Sequence, residues 1–426
     1  MTAPIVVFVL TYVLIAGRRL TVLPIGRPVG ALAGACAMVV LAAIDPSLGL
    51  SPREAFAAVE PNTIGLLLGM MLISASVDES GFFERAAAKI ARRKMSRLSL
   101  LWAISLGSGV LSALLVNDSV CLLLAPLVDR VARRVSRERV PFLLALAMGS
   151  NAGSAMTLAG NPQNMLVAQL SGLSYAGYLW RGGVAGLLGL VTTAAVLHLL
   201  FRRTLAEARP GQDAPEHDEH DEAAPAPSGE PPQRRWRRRV SLAVVGCVSV
   251  AFLLGGNLAW TALAGATAVM LLRRSDAQPL FERVGWTVLV FFAALFVVVA
   301  GLQKTGAPTA ALQALGPHLP RGHLSGALAL TGTLVVGCQL VSNVPFILLA
   351  EPWIRSLPDP VLAWTSTAVV TTLAGNLTLL GSVANIIVIE TAHAQGEIGF
   401  RRYMRVGIPV TLASTAVAVA WLLLVH

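Results

Sequence analysis

The chain has 426 residues, of which 55% are hydrophobic and 13% charged, with mean hydropathy +0.69 and a formal charge of +10. A soluble domain carries about 25% charged residues, whereas apolar runs close to 20 residues long are what a bilayer requires. A soluble enzyme, a disulfide scaffold and a disordered chain are excluded, and the basic excess reads as membrane orientation, with no nucleic-acid partner.

In chain order, the first apolar run, residues 3–17, is expected to be a short membrane helix. It does not read as a secretory signal, because Arg18 and Arg19 follow the apolar run and no basic residue precedes it. Further apolar segments cover 28–45, 62–78, 98–116, 119–128, 141–170, 181–201, 240–256, 258–272, 285–303, 324–341, 344–354, 361–392 and 404–425. Cys36, Cys121, Cys247 and Cys338 each stand alone in an apolar stretch and read as small core residues. Between 202 and 239 the chain turns polar and low in complexity, which predicts a solvated linker. His217 and His220 lie there among carboxylates and belong to that linker.

The halves on either side of the linker are homologous. Phe56 and Val59 recur as Phe281 and Val284, and Ser80-Gly81 recurs as Thr305-Gly306. Asn117, Leu122-Leu123 and Pro126 recur as Asn343, Leu348-Leu349 and Pro352. Thr157-Leu158, Gly160 and Asn164 recur as Thr378-Leu379, Gly381 and Asn385. The domains are therefore 1–201, the linker 202–239, and 240–426.

Each half contains two interrupted segments. The pair 98–116 and 119–128 breaks at Asn117-Asp118, and its second arm has about ten residues before Asp129. At 1.5 Å per residue that is roughly 15 Å, half of a hydrocarbon core, so a re-entrant helical hairpin is predicted. The pair 324–341 and 344–354 breaks at Ser342-Asn343 in the same way. The long segments 141–170 and 361–392 break near Gly160-Asn161-Pro162 and near Gly375-Asn376 to Gly381-Ser382. Irregular backbone at membrane depth is tolerated where it is buried in protein or lines a cavity.

The predicted fold is an all-α polytopic membrane protein. Each half has five crossings, one re-entrant hairpin and one broken helix, and the odd number of crossings inverts the second half relative to the first. In this arrangement 28 of the 33 basic residues fall on one face. That face is expected to be cytoplasmic, with the linker there and both termini on the extracytoplasmic side of the cell membrane.

The breaks hold the candidate chemistry. Asn161 before Pro162, Asn343 before Pro345, Ser382, and Asn117, Asp118 or Ser119 are all suited to cap half-helices. Four helix N-termini then face the membrane centre, where their N–H groups suit an anion or polar solute. Asn117, Ser119, Asn161, Pro162, Asn164, Ser342, Asn343, Asn376, Thr378, Ser382 and Asn385 are the candidate solute-binding residues. Gly153, Gly160, Gly375 and Gly381 allow tight turns whose carbonyls suit Na⁺, and with Asp118 they form the candidate ion-coupling set. A carboxylate within an apolar segment marks a functional site, and Asp118 suits a coupling Na⁺ or H⁺. Its repeat mate is Val344, so the halves are not chemically equivalent. Glu351, Glu390, Ser154 and Thr157 are weaker candidates, the last two for helix–helix hydrogen bonds.

Val116-Asn117-Asp118-Ser119, Gly160-Asn161-Pro162-Gln163-Asn164, Ser342-Asn343-Val344-Pro345 and Gly375-Asn376-Leu377-Thr378 through Asn385 resemble the ion transporter superfamily. That group includes arsenite permeases, sodium-coupled dicarboxylate and citrate carriers, and a class of sodium/proton antiporters. In the dicarboxylate carriers both tips read Ser-Asn-Thr and bind carboxylates. Here only Ser342-Asn343 keeps that pattern, and the Asn117-Asp118 tip looks more like the arsenite-permease branch. The resemblance implies alternating-access transport of a small anion or metalloid oxyacid coupled to Na⁺ or H⁺, with no cofactor and with a homodimer as one assembly. Sodium/proton antiport and dicarboxylate or citrate symport are the alternatives. No zinc-protease, serine-hydrolase or nucleotide-binding motif is present, so neither an enzyme nor an ATP-driven pump is expected.

Overall fold

The computed structural model describes all residues except 1, 17–25, 92, 94, 137, 207–230 and 316–321. Every regular element among them is helical. His217, His220 and most of the linker lie outside the described residues.

The first half contains α1 (Thr2–Ala16), α2 (Arg27–Ile44), α3 (Pro52–Ala58), α4 (Pro61–Glu79), α5 (Phe82–Ala91), α6 (Arg97–Leu114), α7 (Asn117–Val135), α8 (Val140–Ser154), α9 (Pro162–Ser171) and α10 (Tyr175–Tyr178). A π-helical turn at Leu179–Gly183 then leads into α11 (Val184–Ala206). The second half contains α12 (Pro232–Leu253), α13 (Leu258–Leu272), α14 (Gln278–Glu282), α15 (Trp286–Lys304), α16 (Ala307–Leu315), α17 (His323–Val341), α18 (Asn343–Arg355), α19 (Pro360–Ala374), a 3₁₀ turn at Leu379–Gly381, α20 (Val383–Thr391) and α21 (Phe400–Val425). Among the described residues, six helices are long and apolar enough to cross a membrane: α4, α6, the continuous run from α10 through α11, α15, α17 and α21.

The order of elements repeats. Short α3 and α14 hold Phe56 and Phe281, with Val59 and Val284 just past their ends. Gly81 and Gly306, with φ of +73° and +71°, end the helices α4 and α15. Glycine is the residue that enters this left-handed region without strain. Packing between the halves also comes in mated pairs: α4 lies on α13 and α15 on α2, while α7 touches α20 and α18 touches α9. Gly69 allows the first of these contacts, since a Cβ there would lie 2.6 Å from the Ala262 carbonyl carbon.

The first hairpin arm is longer than the sequence suggested. α7 runs through Asp129, Arg130, Arg133 and Arg134 and has 19 residues, or roughly 28 Å. Hydropathy ends at Leu127-Val128, but the helix does not. Arg133 pairs with Asp129 one turn earlier at 2.9 Å, and basic residues suit a helix C-terminus. In the second half the arm α18 is short, at 13 residues. The first hairpin is therefore recognised by the place of its tip, against the break between α8 and α9.

Ion pairs connect the segments that the charge pattern put on one face. Arg237 and Arg273 both reach Glu79, at 3.0 and 2.6 Å. Arg283 pairs with Asp78 and Arg234 with Glu84. Arg139, from the loop before α8, binds Asp129 and Glu397, each at 2.6 Å. The opposite segments join among themselves: Lys304 binds Glu54 at 3.1 Å, and His426 lies 3.5 Å from Asp359.

Candidate functional site

Hydrogen bonds join the first hairpin tip to both helix breaks and the second hairpin to its own break. α8 stops at Ser154 and α9 starts at Pro162, and the mated break separates Ala374 from Val383. Two half-helices are capped as the sequence predicts. Asn161 Oδ1 accepts the Asn164 N–H at 2.8 Å, and Ser382 Oγ accepts the Ala384 N–H at 3.3 Å.

The hairpin arms are not capped by side chains. The N-cap residues are Val116 and Ser342, neither with a side-chain cap bond, so Asn117, Asp118, Ser119 and Asn343 lie inside the first turn. Asn117 is engaged elsewhere. Its backbone N–H donates to the Gly160 carbonyl at 3.0 Å, and its Nδ2 donates to Asn151 Oδ1 at 3.1 Å. At the second tip Ser342 has φ +67°, a strained setting for a non-glycine residue.

Asn151, which the sequence did not single out, is the centre of a network. Its Nδ2 donates to Asn376 Oδ1 at 3.0 Å and Asn385 Oδ1 at 2.9 Å, and its Oδ1 accepts from Asn117 and from Ser382 Oγ at 2.9 Å. One side chain thus ties the first tip to the second break. Thr372 occupies the mated place on α19. Its Oγ1 accepts from Asn161 Nδ2 at 3.1 Å and donates to Asn164 Oδ1 at 3.1 Å. The offset of 221 residues that relates Thr157 to Thr378 also relates Asn151 to Thr372, Asn161 to Ser382 and Asn164 to Asn385. Each central helix therefore grips the other half's broken segment. An asparagine buried in an apolar run at the repeat offset from another buried polar residue was the available signal.

The remaining candidates divide by exposure. Asn161, Asn164, Asn376 and Asn385 are fully enclosed, while Asn117 and Asp118 are 3% and 7% exposed. Pro162 is buried at the start of α9. Ser119, Thr378 and Ser382 are half-buried, and Ser342 is exposed. Thr378 donates to Gln339 Oε1 at 2.8 Å, and Gln339 Nε2 donates to the Ala374 carbonyl at 2.9 Å, so Gln339 holds the second hairpin to its break. The glycines are packing positions. A Cβ on Gly153 would fall 2.1 Å from Gly109 Cα, on Gly160 2.3 Å from the Ser154 carbonyl, on Gly381 2.9 Å from the Gly375 carbonyl, and on Gly375 3.0 Å from the Thr372 carbonyl. Glu351 pairs with Arg355 at 2.9 Å, away from the breaks.

Among the described residues, two buried tip oxygens have no hydrogen-bond partner: Asn117 Oδ1 at the first tip and Asn343 Oδ1 at the second. Burying an acceptor without a donor costs about 1–3 kcal/mol, so each oxygen is a place for a cation or a hydroxyl. Among the described residues, no group of three or more His, Cys, Asp or Glu is arranged for a metal. No Lys, Arg or His takes part in the hydrogen bonds of Asn117, Asn151, Asn161, Asn164, Thr372, Asn376 and Asn385.

The family model for citrate transporters matches residues 12–374. The chain belongs to the citrate transporter family. As a family member it is a multi-pass membrane transporter, and its resemblance to the ion transporter superfamily holds. It is 30% identical over 453 residues to the silicon efflux transporter LSI3 of Oryza sativa subsp. japonica, covering 93% of this chain and 92% of that protein. It is 25% identical to a Dictyostelium discoideum protein bearing the arsB transporter name, over 99% of this chain and 92% of that one. Its fold is that of the YdaH transporter of Alcanivorax borkumensis, with a TM-score of 0.58 at 16% identity, covering 99% of this chain and 98% of that one.

Proposed function

We propose that this citrate transporter family member is a secondary carrier for a small oxyacid that is uncharged at neutral pH, of the arsenous or silicic acid class. The carrier moves its solute across the cell membrane by alternating access. Solute hydroxyls bind between the tips, at Asn117, Ser119, Ser342 and Asn343, and Na⁺ or H⁺ is exchanged at Asp118. The halves are inverted repeats, with the basic face and linker in the cytoplasm and both termini outside.

The observation that carries this reading is the pair of buried amide oxygens, Asn117 Oδ1 at the first tip and Asn343 Oδ1 at the second, that have no hydrogen-bond donor among the described residues. A fully ionised polyanion offers such acceptors only further acceptor oxygens. A neutral oxyacid brings hydroxyl donors, which fit the carbonyl oxygens of Asn117 and Asn343. The names of the silicon and arsB relatives agree with that class. The family's own description favours a second reading, citrate transport, for which we propose symport with a cation bound at Asp118.

A flux panel in proteoliposomes separates the two. Arsenite, silicic acid, citrate, succinate, sulfate and phosphate are offered under an imposed Na⁺ or pH gradient. The oxyacid reading predicts gradient-dependent flux of arsenite or silicic acid. Citrate flux with both oxyacids inert overturns it in favour of symport, and exchange of Na⁺ for H⁺ with no solute moved overturns it in favour of an antiporter.

A further inference from the structure

We propose that the groove between α5 and the back of the α6–α7 hairpin holds one acyl chain of an anionic phospholipid, with its headgroup on the basic residues at the groove's mouth. The groove has about 510 Å³ of empty space, part of it open to the surroundings. Ala86, Ala87 and Ile90 of α5 roof it at one end, α6 lines it from Leu100 to Leu111, and α7 lines it from Leu124 to Val131. The stretch from Leu100 to Leu111 is about 16 Å long at 1.5 Å per residue, the scale of a lipid tail running from the interface towards the bilayer centre. Gly107 leaves the middle vacant, since a Cβ there would meet no heavy atom within 4 Å.

The lining is apolar. Its serine, Ser108, directs its hydroxyl to the Ser105 and Leu146 carbonyls at 3.2 and 3.4 Å. The mouth is basic. On α6 the lining stripe Leu100, Ile104, Gly107 begins one turn earlier at Arg97, and on α7 the stripe Leu124, Leu127, Val131 ends at Arg134. Lys89 and Arg93 flank Ile90, and Lys89, Arg93, Arg130 and Arg134 are exposed. The acids nearby are already paired, Glu84 with Arg234 and Asp129 with Arg133 and Arg139. The mated helix α16, Ala307–Leu315, carries no charge, so this mouth belongs to the basic face alone. α5 itself places Phe83 inside and Glu84, Arg85 and Lys89 outside, as an interfacial helix does. Charge therefore selects the headgroup and the groove holds the tail, against the hairpin that carries Asp118.

Native mass spectrometry of the full chain tests this with phosphatidylglycerol and phosphatidylcholine of identical tails. Phosphatidylglycerol is expected to be retained preferentially by the wild type. Arg134→Gln should cut that preference about fivefold, the worth of one cation near an anionic headgroup. Gly107→Leu should lower retention of phosphatidylglycerol by filling the groove. Equal retention of the two lipids by the wild type overturns the proposal. So does unchanged retention in Gly107→Leu, or binding of glycerophosphoglycerol as strong as that of the whole lipid. Arg134 is exposed, so its variant remains informative if Gly107→Leu does not fold. The readout needs no transport and fails independently of the carrier mechanism proposed above.

Discussion

The two hairpins are built from repeat-related sequence, yet they sit differently. In the first, α6 presses small residues into α8. A Cβ on Gly149 would lie 2.5 Å from the Ser105 carbonyl, and one on Gly109 3.0 Å from the Gly149 carbonyl. Ser112 and Ser150 hydroxyls meet at 2.6 Å, and the tip Asn117 is fixed to Gly160 and Asn151. At the base of this hairpin Arg139 joins Asp129 to Glu397. In the second, α17 is mostly exposed along its membrane-length window, 22% buried against 44% for α6. A Cβ on its Gly332 would meet nothing within 4 Å. Its tip residue Ser342 is exposed, and Gln339 holds it to Ala374 and Thr378. The first hairpin is thus packed backbone-to-backbone on α8, whereas the close approach of the second, at Gly337, is to Phe346 of its own arm. One hairpin docked and its mate looser is what an alternating carrier built of two related halves would show in one of its states.

The largest expected effect comes from breaking the docked interface. Gly153→Leu drives a side chain into the Gly109 backbone and should cost about 3 kcal/mol or more, read as lost thermal stability in detergent. Gly332→Leu on the looser hairpin should stay within about 0.5 kcal/mol. Equal losses would erase the distinction between the hairpins.

Asn151→Ala leaves the Asn376 and Asn385 amide oxygens and the Ser382 hydroxyl without this partner. It should cost about 2–4 kcal/mol, given about 1–3 per buried group left unpaired. The mated Thr372→Val removes a single hydroxyl, where Asn151→Ala removes both a carbonyl and an amino group, and should cost about 1–2 kcal/mol. Chemical denaturation of both variants compares the two crossed grips directly.

A smaller effect depends on pH. Hydrogen bonds from Arg139 hold the Glu397 carboxyl below its ordinary 4.5. A lowered folded-state value adds stability above the unfolded value, and that stability fades as pH falls through the folded one. The melting temperature should therefore fall below about pH 4.5. Glu397→Gln should melt lower at neutral pH and lose part of that acid-side decline. The smallest change is Ser342→Gly, which relieves a positive φ at the second tip. It should raise stability by about 0.5–1 kcal/mol, seen as a slightly higher melting temperature.

Much of the architecture was legible because a bilayer restricts what a chain can do. Apolar runs had to be helices, and Asn161-Pro162 had to start one. What escaped depended on three-dimensional partners. Nothing local separates Asn151 from other polar residues in α8; only the approach of Ser382 and Asn385 from the other half makes it a centre. The caps at Val116 and Ser342 escaped for a related reason: Asn117 has the side chain of a cap, but Gly160 and Asn151 already engage it. The end of α7 escaped because hydropathy reports where the membrane stops, and helical hydrogen bonding continues past that point.

The central claim is that Asp118 couples a cation to solute movement. Gradient-driven flux of the solute identified in the panel should be measured in proteoliposomes for the wild type and for Asp118→Asn, with solute exchange at equal cation on both sides as the control. The account predicts that Asp118→Asn keeps its fold and loses gradient-driven accumulation. Accumulation in Asp118→Asn with the same dependence on the Na⁺ or pH gradient as the wild type would contradict it.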